Sequence, residues 1–186
     1  MISKHVHNLS DQELAQLVGD GNPRGQRELY DRYAGYLSAV VRRYLPDEDV
    51  AKDVLQEAFI SIFRNFPGFE YRGEGSLKAW MTRIAVNGAL HELRGKKVTE
   101  DVERLPDRPE EDPEVSDIPL AALQKMIQGL PDGYRTVFNL YVFEQMPHRQ
   151  IASLLGIKEN SSASQLLRAK ALLAREIKEY RKKNDR

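Results

Sequence analysis

The sequence predicts an all-α fold of two small helical domains joined by an extended acidic linker. Three observations predict it. Apolar residues recur at helical spacing almost throughout, and no strand-type alternation stands out. Residues 95–117 break that pattern, with no periodicity and three prolines, Pro106, Pro109 and Pro113. Charge divides at the same place. Residues 1–98 hold 14 Lys/Arg against 13 Asp/Glu, residues 99–117 hold 2 against 9, and residues 118–186 hold 12 against 6. The zero net charge of the chain therefore conceals an acidic segment and a basic C-terminal part, which call for different partners. The domains expected are 1–94 and 118–186, with 95–117 as linker.

The first helix starts at a capping box, Ser10-Asp11-Gln12-Glu13, and ends near Asp20-Gly21. Asn22-Pro23 opens the second, with Asn22 as cap and proline pre-set at the first helical position. Its apolar stripe runs Leu29, Tyr33, Tyr36, Leu37, Val40, Val41 and Tyr44, and Pro46 stops it. Asp47, Glu48 and Asp49 crowd the start of a third helix, where negative charge suits the dipole. That helix carries Val50, Val54, Leu55, Ala58, Phe59, Ile62, Phe63 and Phe66 and ends at Pro67-Gly68. After a loop containing Gly73 and Gly75, Ser76 is the expected cap of a fourth helix, which runs to about Leu93 and buries Leu77, Trp80, Met81, Ile84, Ala85 and Leu90. Beyond the linker, one helix covers Pro119 to about Gln128 and the next runs from Pro131 through Phe143. Two short helices and a basic tail complete the chain.

Composition narrows the function. With 41% hydrophobic residues the chain can build real cores. The absence of cysteine excludes disulfides and thiolate metal sites and fits a reducing cytoplasm. His5, His7, His91 and His148 show no metal-ligand spacing, so no metal or cofactor is expected. No signal-type apolar segment and no apolar run of spanning length occurs, so the expected location is cytoplasmic.

The strongest motif lies in 147–170. Ile151, Leu154 and Leu155 form an apolar face on a short helix, and Ala152 is small where a second helix must cross closely. Gly156 falls at the sharp turn, and Ile157 plugs the angle between the helices. Ser162, Leu166, Ala169 and Leu173 continue inward at helical spacing. The opposite face presents Asn160, Ser161, Ser164, Gln165 and Arg168, flanked by Arg149 and Lys158, side chains suited to base edges and phosphates. The pattern predicts a DNA-binding helix-turn-helix rather than an ordinary helical hairpin with a polar outer face. In the first domain, Asp53, Gln56 and Glu57 share one side of the third helix, opposite Val54, Phe59 and Ile62. Paired carboxylates suggest acid catalysis, but no nucleophile, metal set or phosphate-binding glycine loop accompanies them, and no enzyme is expected.

Three segments in order carry a resemblance: Asp53-Val-Leu-Gln56-Glu57-Ala-Phe59, Leu77-Lys-Ala-Trp80-Met-Thr-Arg83-Ile84-Ala85-Val-Asn87, and Leu130-Pro131-Asp-Gly-Tyr134-Arg135-Thr-Val137-Phe138. With the helix-turn-helix after them, the chain resembles, over about residues 10–180, bacterial RNA polymerase sigma factors of the extracytoplasmic-function group (sigma-70 family, group 4). The resemblance implies a four-helix region-2-like domain for the −10 promoter element and a region-4-like helix-turn-helix domain for −35. It implies that Asp53, Gln56 and Glu57 dock on the clamp coiled coil of core RNA polymerase, the carboxylates pairing with basic groups across the interface. It implies that the loop 69–75 and the next helix hold the opened −10 strand. There Phe69 or Tyr71 would stack on a base, Arg72, Lys78 and Arg83 would meet phosphates, and Asn87 would bond a base edge. It further implies an anti-sigma partner, often membrane-anchored in the family, for a protein with no membrane insertion of its own. The acidic linker, with Glu110, Glu111 and Asp112, would suit a basic cleft on polymerase.

Departures from the family fall in the helix-turn-helix. Ser162 stands where an apolar residue is usual, Gln165 where arginine is common, Leu167 where histidine often occurs, and Lys158 in place of a Ser/Thr cap. Two other classes remain open. A sigma-like decoy that sequesters an anti-sigma factor would ordinarily carry a receiver domain, for which the chain has no room. An autonomous helix-turn-helix regulator would leave the Trp80–Asn87 motif without a role.

Overall fold

The computed structural model describes residues 9–94 and 113–184; every described element is helical. Two compact units emerge, Met1–Gly95 and Lys96–Arg186. The arm carrying His5 and His7 and most of the linker, with Glu110, Glu111 and Asp112, lie outside the described residues.

The first unit holds α1 (Asp11–Gly19), α2 (Pro23–Tyr44), α3 (Glu48–Asn65), a 3-10 turn (Phe66–Gly68) and α4 (Ser76–Arg94). Each of the first three helices begins on a side-chain cap. Both halves of the capping box form, Glu13 N donating to Ser10 Oγ at 3.2 Å and Ser10 N to Glu13 Oε2 at 2.8 Å. Asn22 caps α2, and Asp47 Oδ1 accepts from the amides of Asp49 and Val50. α2 packs against α1, α3 and α4, so it is the element around which the unit is built. Leu14, Leu29, Leu37, Ile62, Leu77 and Met81 are fully buried in this core, each contributing about 1.5–3 kcal/mol. Arg32 ties the start of α1 down. It donates to Leu9 O and pairs with Asp11 and with the buried Glu28, while Tyr33 Oη donates to Asp11 at 2.6 Å. Burial, aided by Asp11, pushes the Tyr33 phenol well above the usual tyrosine range.

Two details differ from expectation. Ser76 does not cap α4 but is its first residue. Its hydroxyl donates to Gly73 O at 2.6 Å and accepts from Arg72 N, because positive φ at Gly73 and Gly75 folds the loop back on itself. Tyr36, Trp80 and Ile84 are not buried in the core; Tyr36 is exposed and the other two half-buried. Tyr36 lies at the edge of the α2 stripe, where its hydroxyl sits 3.2 Å from Thr82 Oγ1 of α4.

The second unit holds α5 (Leu120–Gln128), α6 (Asp132–Val142), α7 (His148–Leu155) and α8 (Glu159–Asn184). The expected pair of short final helices is corrected. α8 runs 26 residues and absorbs the basic tail, since no Gly or Pro follows Gly156 and the buried series Leu166, Ala169, Leu173, Ile177 keeps its period. Arg181, Lys182 and Lys183 fall in its last turn, where cations suit the helix dipole. Leu130, Tyr134, Ala169 and Leu173 form the cluster between α6 and α8. Arg135 is almost wholly buried. It donates to the carbonyls of Gln128 and Leu130 and pairs with Asp132, closing the turn between α5 and α6.

Candidate polymerase and nucleic-acid interfaces

On α3, Val54, Ala58, Phe59 and Ile62 are buried, while Asp53, Gln56 and Glu57 are exposed on the opposite side. None of the three has a hydrogen bond or ion pair among the described residues, whereas neighbouring charges do: Glu48 with Arg42 and Asp49 with Lys52. Unpaired carboxylates held on a rigid helix can meet cations on a partner without first breaking an internal bridge. Ile60, 51% exposed, continues the same face one turn on. The sequence reading passed over Ile60. Its signal was an apolar side chain three residues past Glu57 and outside the buried stripe.

The loop after α3 and the start of α4 enclose an open cleft lined by Phe69, Glu70, Arg72, Trp80 and Arg83, among others. Phe69 packs against Trp80 at a tilt, with centroids 4.8 Å apart, and both rings lie 5.5 Å from Phe66, which is buried. The wall of the cleft is therefore aromatic and backed by the core. Arg72 is exposed and pairs with Glu70 at 3.0 Å; Arg83 is exposed. Asn87 follows Arg83 by one turn on the same exposed side of α4. Phe69, Arg72, Arg83 and Asn87 are thus brought along one surface, and Trp80, expected in the core, joins them. Tyr71 and Lys78 are not. Neither lines the cleft, and Lys78 Nζ sits 4.1 Å over the Tyr36 ring of α2.

In the second unit, Gly156 ends α7 in the left-handed conformation at φ 68°, with Ile151 and Ala152 buried beneath. α8 then presents Asn160 and Ser164 fully outward, with Lys158 just before it and Arg149 on α7 also exposed. Ser161, Gln165 and Arg168 are half-buried at the flank, and Arg168 Nη1 donates to Tyr134 Oη at 3.3 Å. A polar helix face with cations on its border is suited to a duplex groove.

Residues 29–99 match sigma-70 region 2 and residues 120–173 match sigma-70 region 4. The RNA polymerase sigma-H factor of Pseudomonas aeruginosa is 30% identical over 175 residues, 86% of this chain and 90% of that protein. The chain belongs to the sigma-70 family of RNA polymerase sigma factors. Within it the chain falls in the extracytoplasmic-function group. The ECF RNA polymerase sigma-E factor of Haemophilus influenzae is 28% identical over 188 residues, covering 92% of this chain and 97% of that protein. The sigma-E factor of Escherichia coli K12 is 28% identical over 184 residues, 91% and 95% of the two chains. A structure of CnrH in complex with the cytosolic domain of CnrY matches at a TM-score of 0.51 and 22% identity, covering 90% of this chain and 97% of that one; it shares the fold.

Proposed function

We propose that this chain is a promoter-specificity subunit of RNA polymerase. It binds the core enzyme through the α3 face and directs initiation by reading a −10 element with residues 1–94 and a −35 element with residues 118–186. Residues 95–117 link the two. The observation that carries this is the α3 face itself. Asp53, Gln56 and Glu57 are exposed and, among the described residues, unpaired beside an exposed isoleucine, on a helix whose other side is core. Such a face meets no partner among the described residues and is complementary to a basic surface with an apolar spot.

The aromatic wall of the cleft would stack one base of the opened strand. Arg72 and Arg83 would meet phosphates and Asn87 a base edge, with Lys78 and Tyr71 contacting the strand from the α2 side. On α8, Asn160 and Ser164 are best placed for base edges. Arg149 and Lys158 would hold the duplex backbone, with Ser161, Gln165 and Arg168 contributing at the flank. The protein acts by binding and catalyses nothing. No helix among the described residues is long and apolar enough to cross a membrane, and the site of action is the cytoplasm. An anti-sigma factor, the partner that the family resemblance implies, is proposed for this chain as well; CnrH, which shares the fold, was solved with a protein partner, the cytosolic domain of CnrY.

The test exchanges charge on the docking face. Asp53→Lys with Glu57→Lys should abolish binding to core polymerase and promoter-dependent run-off transcription, with helicity and thermal unfolding unchanged. Retained affinity for core would refute the docking assignment. No transcript from any member of a promoter pool with the unmodified protein would refute the function.

A further inference from the structure

Ser162 is fully buried, in the first turn of the helix that presents the polar face. A hydroxyl buried without a partner would be costly at such a position. Its partner is His148, the first residue of α7, whose Nδ1 lies 3.0 Å from Ser162 Oγ. The imidazole is also stacked on Tyr141 of α6, with centroids 4.7 Å apart and planes at 21°. Three helices therefore meet at one half-buried ring, whose position is set by a stack on one side and a hydrogen bond on the other.

Ser162 has no other side-chain partner among the described residues, so the arrangement that satisfies its buried O–H is the one in which that O–H donates to Nδ1. That places the proton of a neutral ring on Nε2. Nε2 has no partner among the described residues, and it is not sealed from solvent. The result is a solvent-accessible N–H donor on a ring held by a stack and a hydrogen bond. Its surroundings favour an anion. The amides of His148 and Arg149 are the first of α7 and lack intrahelical acceptors. Pro147 supplies no side-chain cap for them, and the Arg149 side chain is exposed. In a helix-turn-helix the first helix crosses the nucleic-acid backbone, and about half or more of protein–DNA hydrogen bonds go to phosphate and sugar.

We propose that His148 is a phosphate contact of the second unit, its Nε2–H aimed at the duplex backbone and oriented by Ser162 and Tyr141. The proposal rests on the reading of this unit as duplex-binding and adds a contact to it. The bond carries no sequence information. It fixes how the recognition helix sits in the groove.

The experiment measures binding of the full chain to short fluorescein-labelled duplexes of randomised sequence at low salt, by anisotropy, beside thermal unfolding of each variant. His148→Phe keeps the stack and removes both nitrogens; it should lose roughly tenfold in affinity, uniformly over sequences. His148→Asn puts an amide near Nδ1, able to serve Ser162 but not a phosphate, and should lose as much. His148→Gln puts an amide near Nε2 and should recover most of the binding. Wild-type affinity in the Phe variant, wild-type affinity in the Asn variant, or a Gln variant no better than Phe overturns the proposal. Arg149→Ala separates the two readings. Loss there with none in His148→Phe removes the histidine contact alone, whereas no duplex binding by the unmodified chain removes duplex reading itself.

Discussion

Two glycines of α2 should respond to the same substitution with opposite sign. Gly25, the third residue of the helix, is buried where α2 crosses α1. A Cβ added there would lie 2.8 Å from Leu17 Cβ and 3.2 Å from Leu17 C and Val18 N. Two of those three atoms are backbone and the third is fixed to it, so no rotamer change relieves the overlap. Forcing a methyl into such a crossing costs about 1–3 kcal/mol. Alanine recovers at most about 1 kcal/mol through helix propensity, and less in the first turn. Gly25→Ala is therefore expected to destabilise the first unit by about 1–2 kcal/mol. Gly35 is exposed in the middle of the same helix, with nothing within 4 Å of an added Cβ. Gly35→Ala keeps the propensity gain without the clash and should stabilise by about 0.5–1 kcal/mol. The chain has one tryptophan, Trp80, in the first unit, so intrinsic fluorescence in a urea titration reports that unit selectively. The midpoints should separate in opposite directions from the unmodified protein. A Gly25→Ala protein as stable as Gly35→Ala would refute the close crossing of α1 and α2.

Further outcomes follow from the second unit. Gly156→Ala meets no atom, so its whole cost is the left-handed backbone, about 1–2 kcal/mol, read as faster amide exchange in α7; unchanged exchange would contradict the turn at φ 68°. Gln145 is the one positive-φ residue other than glycine among the described residues, at φ 52°, and Gln145→Gly should relieve about 1 kcal/mol, raising the denaturation midpoint. Asp117 is gripped by Arg181, Nε to Oδ2 at 3.0 Å and Nη2 to Oδ1 at 2.7 Å, and these hydrogen bonds hold its carboxyl below the usual aspartate range. Because the folded value is depressed, this grip stabilises above the unfolded aspartate value of about 3.9 and is lost as pH falls through the lower folded value. Carbon-detected titration should place Asp117 below an ordinary aspartate, and Arg181→Ala should move its midpoint up; an unmoved midpoint would refute the grip.

What the sequence made legible is what neighbours along the chain decide. Ser10 and Glu13 are three residues apart and satisfy each other, so the cap they form is visible in a string of four letters. The α3 face was legible for the same reason, since Asp53, Gln56 and Glu57 share a side by helical spacing alone. Pairings across the fold left no such trace. Lys78 was expected beside Arg83, five residues on. Five residues turn a helix by well over a quarter circle, and the Tyr36 ring of α2 holds it on another side. Arg168 was expected on the open face and instead reaches Tyr134, 34 residues earlier.

Ser162 shows where the boundary lies. Its oddity was visible, a hydroxyl at a position where the helix-turn-helix asks for an apolar side chain. Its resolution was not, because the histidine that answers it stands 14 residues back, beyond a turn whose angle only the folded chain defines. A polar residue buried at such a junction either destabilises it or has been given a partner there. The partner found is a half-buried ring whose second nitrogen is not sealed from solvent, so the same substitution that removes an apolar contact from the core positions a donor for a ligand. An apolar residue at 162 could keep the packing but could not set the tautomer. Departure from the family pattern and gain of a surface contact are thus two ends of one hydrogen bond. Ser162→Val separates them: it should leave the unit folded and as stable within about 1 kcal/mol, since the gain from removing a buried hydroxyl offsets the partner that His148 Nδ1 loses. Duplex affinity should still fall, because the imidazole proton is then free to sit on either nitrogen. Undiminished affinity in that variant would mean that Ser162 only fills space.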